Sequence, residues 1–152
     1  MLRQNLKNRA LSQITGDCNS AAVFAGKGFV VRPEGICRMN GYKDCGQDIH
    51  AWVKSGKFDL GTNRLKRMRF FYFGLESAGN LKLSVFADDA LAAEYVVPVL
   101  EFSKRQEVRV PISREIAARY WAWKVENIGG AFFVLHSVQV LPLGVHTGQR
   151  EG

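Results

Sequence analysis

Residues 64–86 read RLKRMRFFYFGLESAGNLKLSVF, and this stretch decides the fold. In an extended chain successive side chains point to opposite faces. Over 64–73 that rule puts Met68, Phe70 and Tyr72 on one face and Arg67, Arg69, Phe71 and Phe73 on the other. Ser77-Ala78-Gly79-Asn80 has the composition of a turn. Beyond it, Leu81, Leu83 and Val85 alternate with Lys82, Ser84 and Phe86, the pattern of a half-buried strand.

Working outward, the same rhythm persists. Short strands are expected over 51–53, 58–61, 92–97, 107–110, 120–125 and 131–141, with a single helical turn over 112–118. Asp88-Asp89 and Asn127-Ile128-Gly129-Gly130 read as turns. Pro98, Pro111 and Pro142 each close a strand, because proline cannot donate to a ladder. In 120–125, Trp121, Trp123 and Val125 share one face, as core residues would. About seven or eight strands with turns every ten residues or so is the pattern of an antiparallel β-sandwich of jelly-roll type. No helical period alternates with the strands, which argues against an α/β fold.

The first third is different. Leu2, Leu6, Leu11 and Ile14 fall roughly on one helical face, with Thr15-Gly16-Asp17 as a stop. Five glycines and Pro33 punctuate 18–49. One short strand is expected at 28–32, and a tight turn at Asn40-Gly41. The organisation is an irregular N-terminal arm (1–49), an all-β domain (50–143) and a loose, Gly-rich tail (144–152).

The chain has 152 residues and a net charge of +7, from 21 basic and 14 acidic side chains. The excess is spread over both parts and is not a tail. Such a surface attracts nucleic acid, anionic lipid or an acidic protein neighbour. No apolar run is long enough to span a membrane. The N-terminus is too polar for a signal peptide, so synthesis in the cytoplasm is expected. The three cysteines, an odd count, read as free thiols. Cys37 and Cys45 could nonetheless approach each other across the Asn40-Gly41 turn.

No motif announces catalysis. Cys18, Cys37, Cys45 and His50 lack the close Cys pair of a structural zinc site. His136-Ser137 are strand neighbours pointing apart. Gly26-Lys27-Gly28 lacks the third glycine and the helix of a dinucleotide loop. Neither a cofactor nor a metal is expected. Two sets of residues stand out for binding. Arg64, Lys66, Arg67 and Arg69 are a basic cluster next to aromatics, suited to a nucleic-acid backbone or to an acidic neighbouring subunit. The same charges could simply solvate a strand edge. Trp52 is the tryptophan best placed for exposure, and an exposed aromatic face suits a sugar.

The order of motifs carries a resemblance. Ser55-Gly56-Lys57-Phe58-Asp59-Leu60-Gly61 precedes the basic strand at Arg64-Leu65-Lys66-Arg67-Met68. Gly79-Asn80-Leu81-Lys82-Leu83-Ser84-Val85, Ala118-Arg119-Tyr120-Trp121-Ala122-Trp123 and Asn127-Ile128-Gly129-Gly130-Ala131-Phe132 follow. Val138-Gln139-Val140-Leu141-Pro142-Leu143 ends the series. Over 55–143 this resembles a β-domain of structural proteins in tailed-bacteriophage virions. The resemblance implies a tail, baseplate or head-to-tail component in a symmetric assembly with other virion proteins. It implies no enzymatic activity and no cofactor. In the family the domain often ends a longer chain, whereas here a short Cys-containing arm precedes it.

Overall fold

The computed structural model describes residues 2–4, 11–13, 18–39, 43–44 and 46–143; for 2–4, 11–13 and Asp44 it describes the backbone alone. The described residues are all-β, built from antiparallel pairs. No helix among them is long and apolar enough to cross a membrane. The chain divides into two compact units, Met1–Gln47 and Asp48–Gly152.

The first unit replaces the expected helix and irregular arm with strands. β1 (Leu2–Gln4) pairs antiparallel with β2 (Leu11–Gln13). The leucine spacing of four, five and three drifts around a helix, and a helix this short is marginal in water. The Thr15-Gly16-Asp17 stop and the Asn40-Gly41 turn lie outside the described residues. β3 (Ser20–Phe24), β4 (Lys27–Arg32) and β5 (Gly35–Met39) form a three-stranded meander. Ala25 and Gly26 join β3 to β4 with φ of 48° and 73°, the two positive values of a tight hairpin turn. Pro33 sets the second turn, and Gly35 takes φ 138°, a value side chains avoid. Gly26 and Gly35 therefore serve hairpins here, where an irregular arm was expected. β6 (Lys43–Asp44) and β7 (Gln47–Asp48) form a last short pair. Cys18 is free but Cys37 is disulfide-bonded, which corrects the expectation of free thiols; its partner lies outside the described residues.

The second unit holds β8 (Trp52–Lys54), β9 (Arg67–Ser77), β10 (Leu81–Ala87), β11 (Ala90–Val97), β12 (Gln106–Pro111), β13 (Trp121–Asn127) and β14 (Phe133–Leu143). They form a four-stranded sheet, β11-β10-β13-β8, and a three-stranded sheet, β12-β9-β14. One core serves both sheets. Leu81, Leu83, Val85, Val97, Trp121 and Val125 come from the first, and Met68, Phe71, Phe73, Leu75, Val108 and Val110 from the second. The Phe73 ring meets Trp123 edge-on at 6.5 Å, joining the two contributions. Burial of these side chains stabilises by about 1.5–3 kcal/mol each. The fully buried Trp121 also donates its indole N–H to the Ala118 carbonyl, 3.2 Å away.

The alternation in β10 and β13 follows the sequence. In β9 it does not, because the pairing with β14 slips between Leu141 and Pro142: Leu141 opposes Phe70, while Pro142 opposes Met68. Arg69 is the extra residue of a β-bulge. Met68 is therefore buried together with Phe71, Phe73 and Leu75, while Arg67 and Arg69 face solvent and Phe70 and Tyr72 lie half-buried on the outer side. The expected grouping of Arg67 and Arg69 with Phe71 and Phe73 is overturned by that one residue. Pro142 continues β14 instead of ending it, on an edge strand paired to one side only. The piece expected at 58–61 reduces to a bridge, Phe58 with Trp121, followed by a turn with positive φ at Leu60 and Gly61. The 112–118 segment is a simple turn in which the Ile116 N–H meets the Ser113 carbonyl at 3.3 Å. Asp88 and Asp89, with φ 46° and 75°, make the two-residue turn between β10 and β11. The Asp88 carboxylate accepts the backbone N–H of Tyr120 at 2.9 Å, tying that turn to the start of β13.

Candidate binding faces

Each sheet turns one face to the core and one outward. On the outer face of the four-stranded sheet, pairing sets two rows. One runs Trp52, Glu126, Lys82, Val96, and the next Lys54, Lys124, Ser84, Glu94. Glu126 is the hub. Its side chain is only 7% exposed, although it lies on the outer face, because neighbouring side chains cover it. Lys82 Nζ reaches its Oε1 at 2.5 Å; Lys124 Nζ reaches Oε2 at 2.6 Å, and His50 Nε2 lies 3.1 Å from Oε2. The hydrogen bonds from Lys124 and Lys82 outweigh burial and hold the Glu126 carboxyl at about 2, down from 4.5. The group stays ionised at neutral pH, so it is an acceptor and a charge anchor, not a proton donor. Lys82 is raised in turn, by its hydrogen bonds to Glu126 and then Glu94. Ser84 Oγ donates to Glu94 at 3.1 Å, which closes the network.

Trp52 stands next to Glu126 at the β8 edge, 56% exposed. Along the same edge the Lys54 ammonium lies 4.3 Å from the Phe86 ring centre. A depression of about 250 Å³ opens there, lined by Lys54, Lys57, Phe86, Asp89, Tyr120 and Trp121 among others. The chain enters this edge under the control of Asn127, whose side chain accepts the Ala51 N–H at 2.9 Å and donates to the Ile49 carbonyl at 2.8 Å.

The outer face of the three-stranded sheet is of another kind. Phe70 meets Tyr72 edge-on at 6.0 Å. The Arg69 and Arg109 guanidiniums lie 5.1 and 4.8 Å from the Phe70 ring centre. Arg109 opposes Tyr72 from β12, and Gln139 opposes it from β14.

The residues singled out from sequence do not form one site. Trp52 belongs to the four-stranded sheet, and Arg67 and Arg69 to the other. Arg64 is exposed in the loop before β9. Lys66 drops out of any surface role. It is buried, and its ammonium donates to the carbonyls of Thr62 and Arg119, each at 2.7 Å. It fastens the loop before β9 to the segment before β13. Sequence reasoning missed Glu126, Lys82, Lys124 and Arg109. The first three carried a signal, as polar residues at outward positions of alternating strands. Arg109 carried the same signal on the alternating strand at 107–110, but only the fold brings it to Phe70.

Among the described residues, no three His, Cys, Asp or Glu side chains converge as a metal site would require. The chain matches no family model, no curated protein and no solved structure.

Proposed function

We propose that this protein is a structural, non-enzymatic component of a tailed-phage virion, in the tail, baseplate or head-to-tail region, acting through contacts with other virion proteins. On this reading the second unit is a β-sandwich of jelly-roll type and the first unit is a docking element in a symmetric assembly. The observation that carries the reading is the meander of the first unit. Val30 is its one buried hydrophobic side chain among the described residues, while Val23, Phe24 and Ile36 are 75–78% exposed. A sheet that leaves large apolar groups in water gains most when another protein surface covers it. Leu100 and Phe102, on the loop between β11 and β12, add a second exposed apolar site at 83% and 62%. The Cys37 disulfide suits a particle that leaves the reducing cytoplasm. The phage context comes from the sequence resemblance over 55–143.

The test is incorporation. Phe24→Ser with Ile36→Ser is expected to reduce the amount of this chain in purified particles at least about tenfold, with the circular dichroism and melting of the isolated chain unchanged. Normal incorporation of that variant refutes the docking role.

A second reading rests on Trp52. Its exposed ring beside an ionised, firmly held carboxylate has the parts of a sugar site, an apolar platform with a polar rim. A glycan array probed with the wild type and with Trp52→Ala decides it, and retention that survives the substitution rules it out.

A further inference from the structure

We propose that the outer face of the β12-β9-β14 sheet binds single-stranded nucleic acid, with Arg67, Arg69 and Arg109 on its phosphates. The inference does not rest on the assembly reading. Three observations carry it.

The first is uncompensated charge. All three arginines are exposed, and among the described residues none has an ion-pair partner. On the opposite sheet, by contrast, Lys82 and Lys124 are neutralised by glutamates. Cations gathered without counter-charges repel one another and attract a polyanion. The nearest acids on the face, Glu76 and Glu107, sit beyond Tyr72, at the Gly74 end. They confine the site to the span from Arg67 to Tyr72, about 16 Å of extended strand.

The second is how the arginines are held. The Arg69 and Arg109 guanidiniums both lie against Phe70. A ring contact uses none of the guanidinium N–H donors, which stay available to grip a phosphate, and it orders the long side chain beforehand. A guanidinium plane is also a surface on which a base can stack. Tyr72 continues the aromatic strip, bordered by Arg109 and Gln139. Rings interleaved with cations on an open sheet are the usual platform for unpaired bases.

The third is the bulge. Regular alternation after Met68 would send Arg69 outward and Phe70 into the core. The extra residue at Arg69 places Arg69 and Phe70 together on the outer face. Bulges commonly re-aim side chains at binding sites, and this one builds the cation–aromatic pair directly.

The experiment is fluorescence anisotropy of the full chain with a fluorescein-labelled oligothymidylate. Three phosphate contacts predict a log–log salt slope of about −2, or about an 18-fold loss of affinity between about 50 and 200 mM salt. Arg69→Ala with Arg109→Ala should bring that slope to about −0.7, while circular dichroism stays unchanged. Phe70→Leu should weaken binding several-fold at constant charge. Polyglutamate should compete far less well than unlabelled oligothymidylate. Absence of binding at low salt, a double variant that binds like the wild type, or equal competition by polyglutamate would each overturn the proposal. The last would mark the face as a dock for acidic protein.

Discussion

Replacing Glu126 by glutamine removes one negative charge and leaves the side chain's shape almost unchanged. Lys124 and His50 then lose their carboxylate partner, while Lys82 keeps Glu94 at 3.3 Å. The Glu126 carboxyl titrates at about 2 instead of 4.5. Taken at face value that difference is worth about 3 kcal/mol of folding free energy. The lysines are 38% and 26% exposed, so water screens part of it, and about 1–2 kcal/mol is the working figure. The sign follows from linkage. A carboxyl held low in the folded state stabilises fully above its ordinary value of 4.5, and that stability is lost as pH falls towards 2. Urea denaturation followed by tryptophan fluorescence, with the buried Trp121 as reporter, measures both proteins from neutral pH to about pH 2.5. The gap between wild type and Glu126→Gln should be full at neutral pH, begin to shrink below pH 4.5 and close near pH 2. A gap that stays constant with pH, or no gap at pH 7, would refute the account of Glu126 as the ionised hub of that face.

Three further substitutions test the framework. Lys66→Met strands the Thr62 and Arg119 carbonyls, so it should destabilise by about 1–3 kcal/mol in denaturant while leaving the oligothymidylate salt slope unchanged. Asp89→Gly relieves a positive φ of 75° at the second turn position and gives up only an exposed pair with Lys57; the net gain should be about 0.5 kcal/mol, read as a higher denaturation midpoint. Gly130→Ala meets both a φ of 71° and a Cβ contact of 2.7 Å with Asp48, and it should cost about 1–3 kcal/mol in the same assay.

What was legible in the sequence was whatever one strand's own pattern decides. The alternation of Leu81, Leu83 and Val85, and of Trp121 and Val125, identified inward-facing residues directly, and all five are fully buried. What was illegible depended on partners far along the chain. The face of Phe71 is set by the bulge at Arg69, which exists only in the register with β14. Lys66 looks like one more surface cation until the fold brings the Arg119 carbonyl, 53 residues away, to its ammonium. The meander at 20–39 hid behind its glycines: Gly26 and Gly35 are turn residues, and Gly28 lies close against Met39. Half of the candidate nucleic-acid face was visible as the basic–aromatic run of β9. The other half, Arg109, arrives from a neighbouring strand.

The central claim is that this protein is part of a particle. Mass spectrometry of purified particles from the source, with this chain quantified against the major capsid protein, tests it most directly. The account predicts a fixed stoichiometry at a small multiple of three or six, as a ring or baseplate position requires. Absence of the chain from the particle would contradict it.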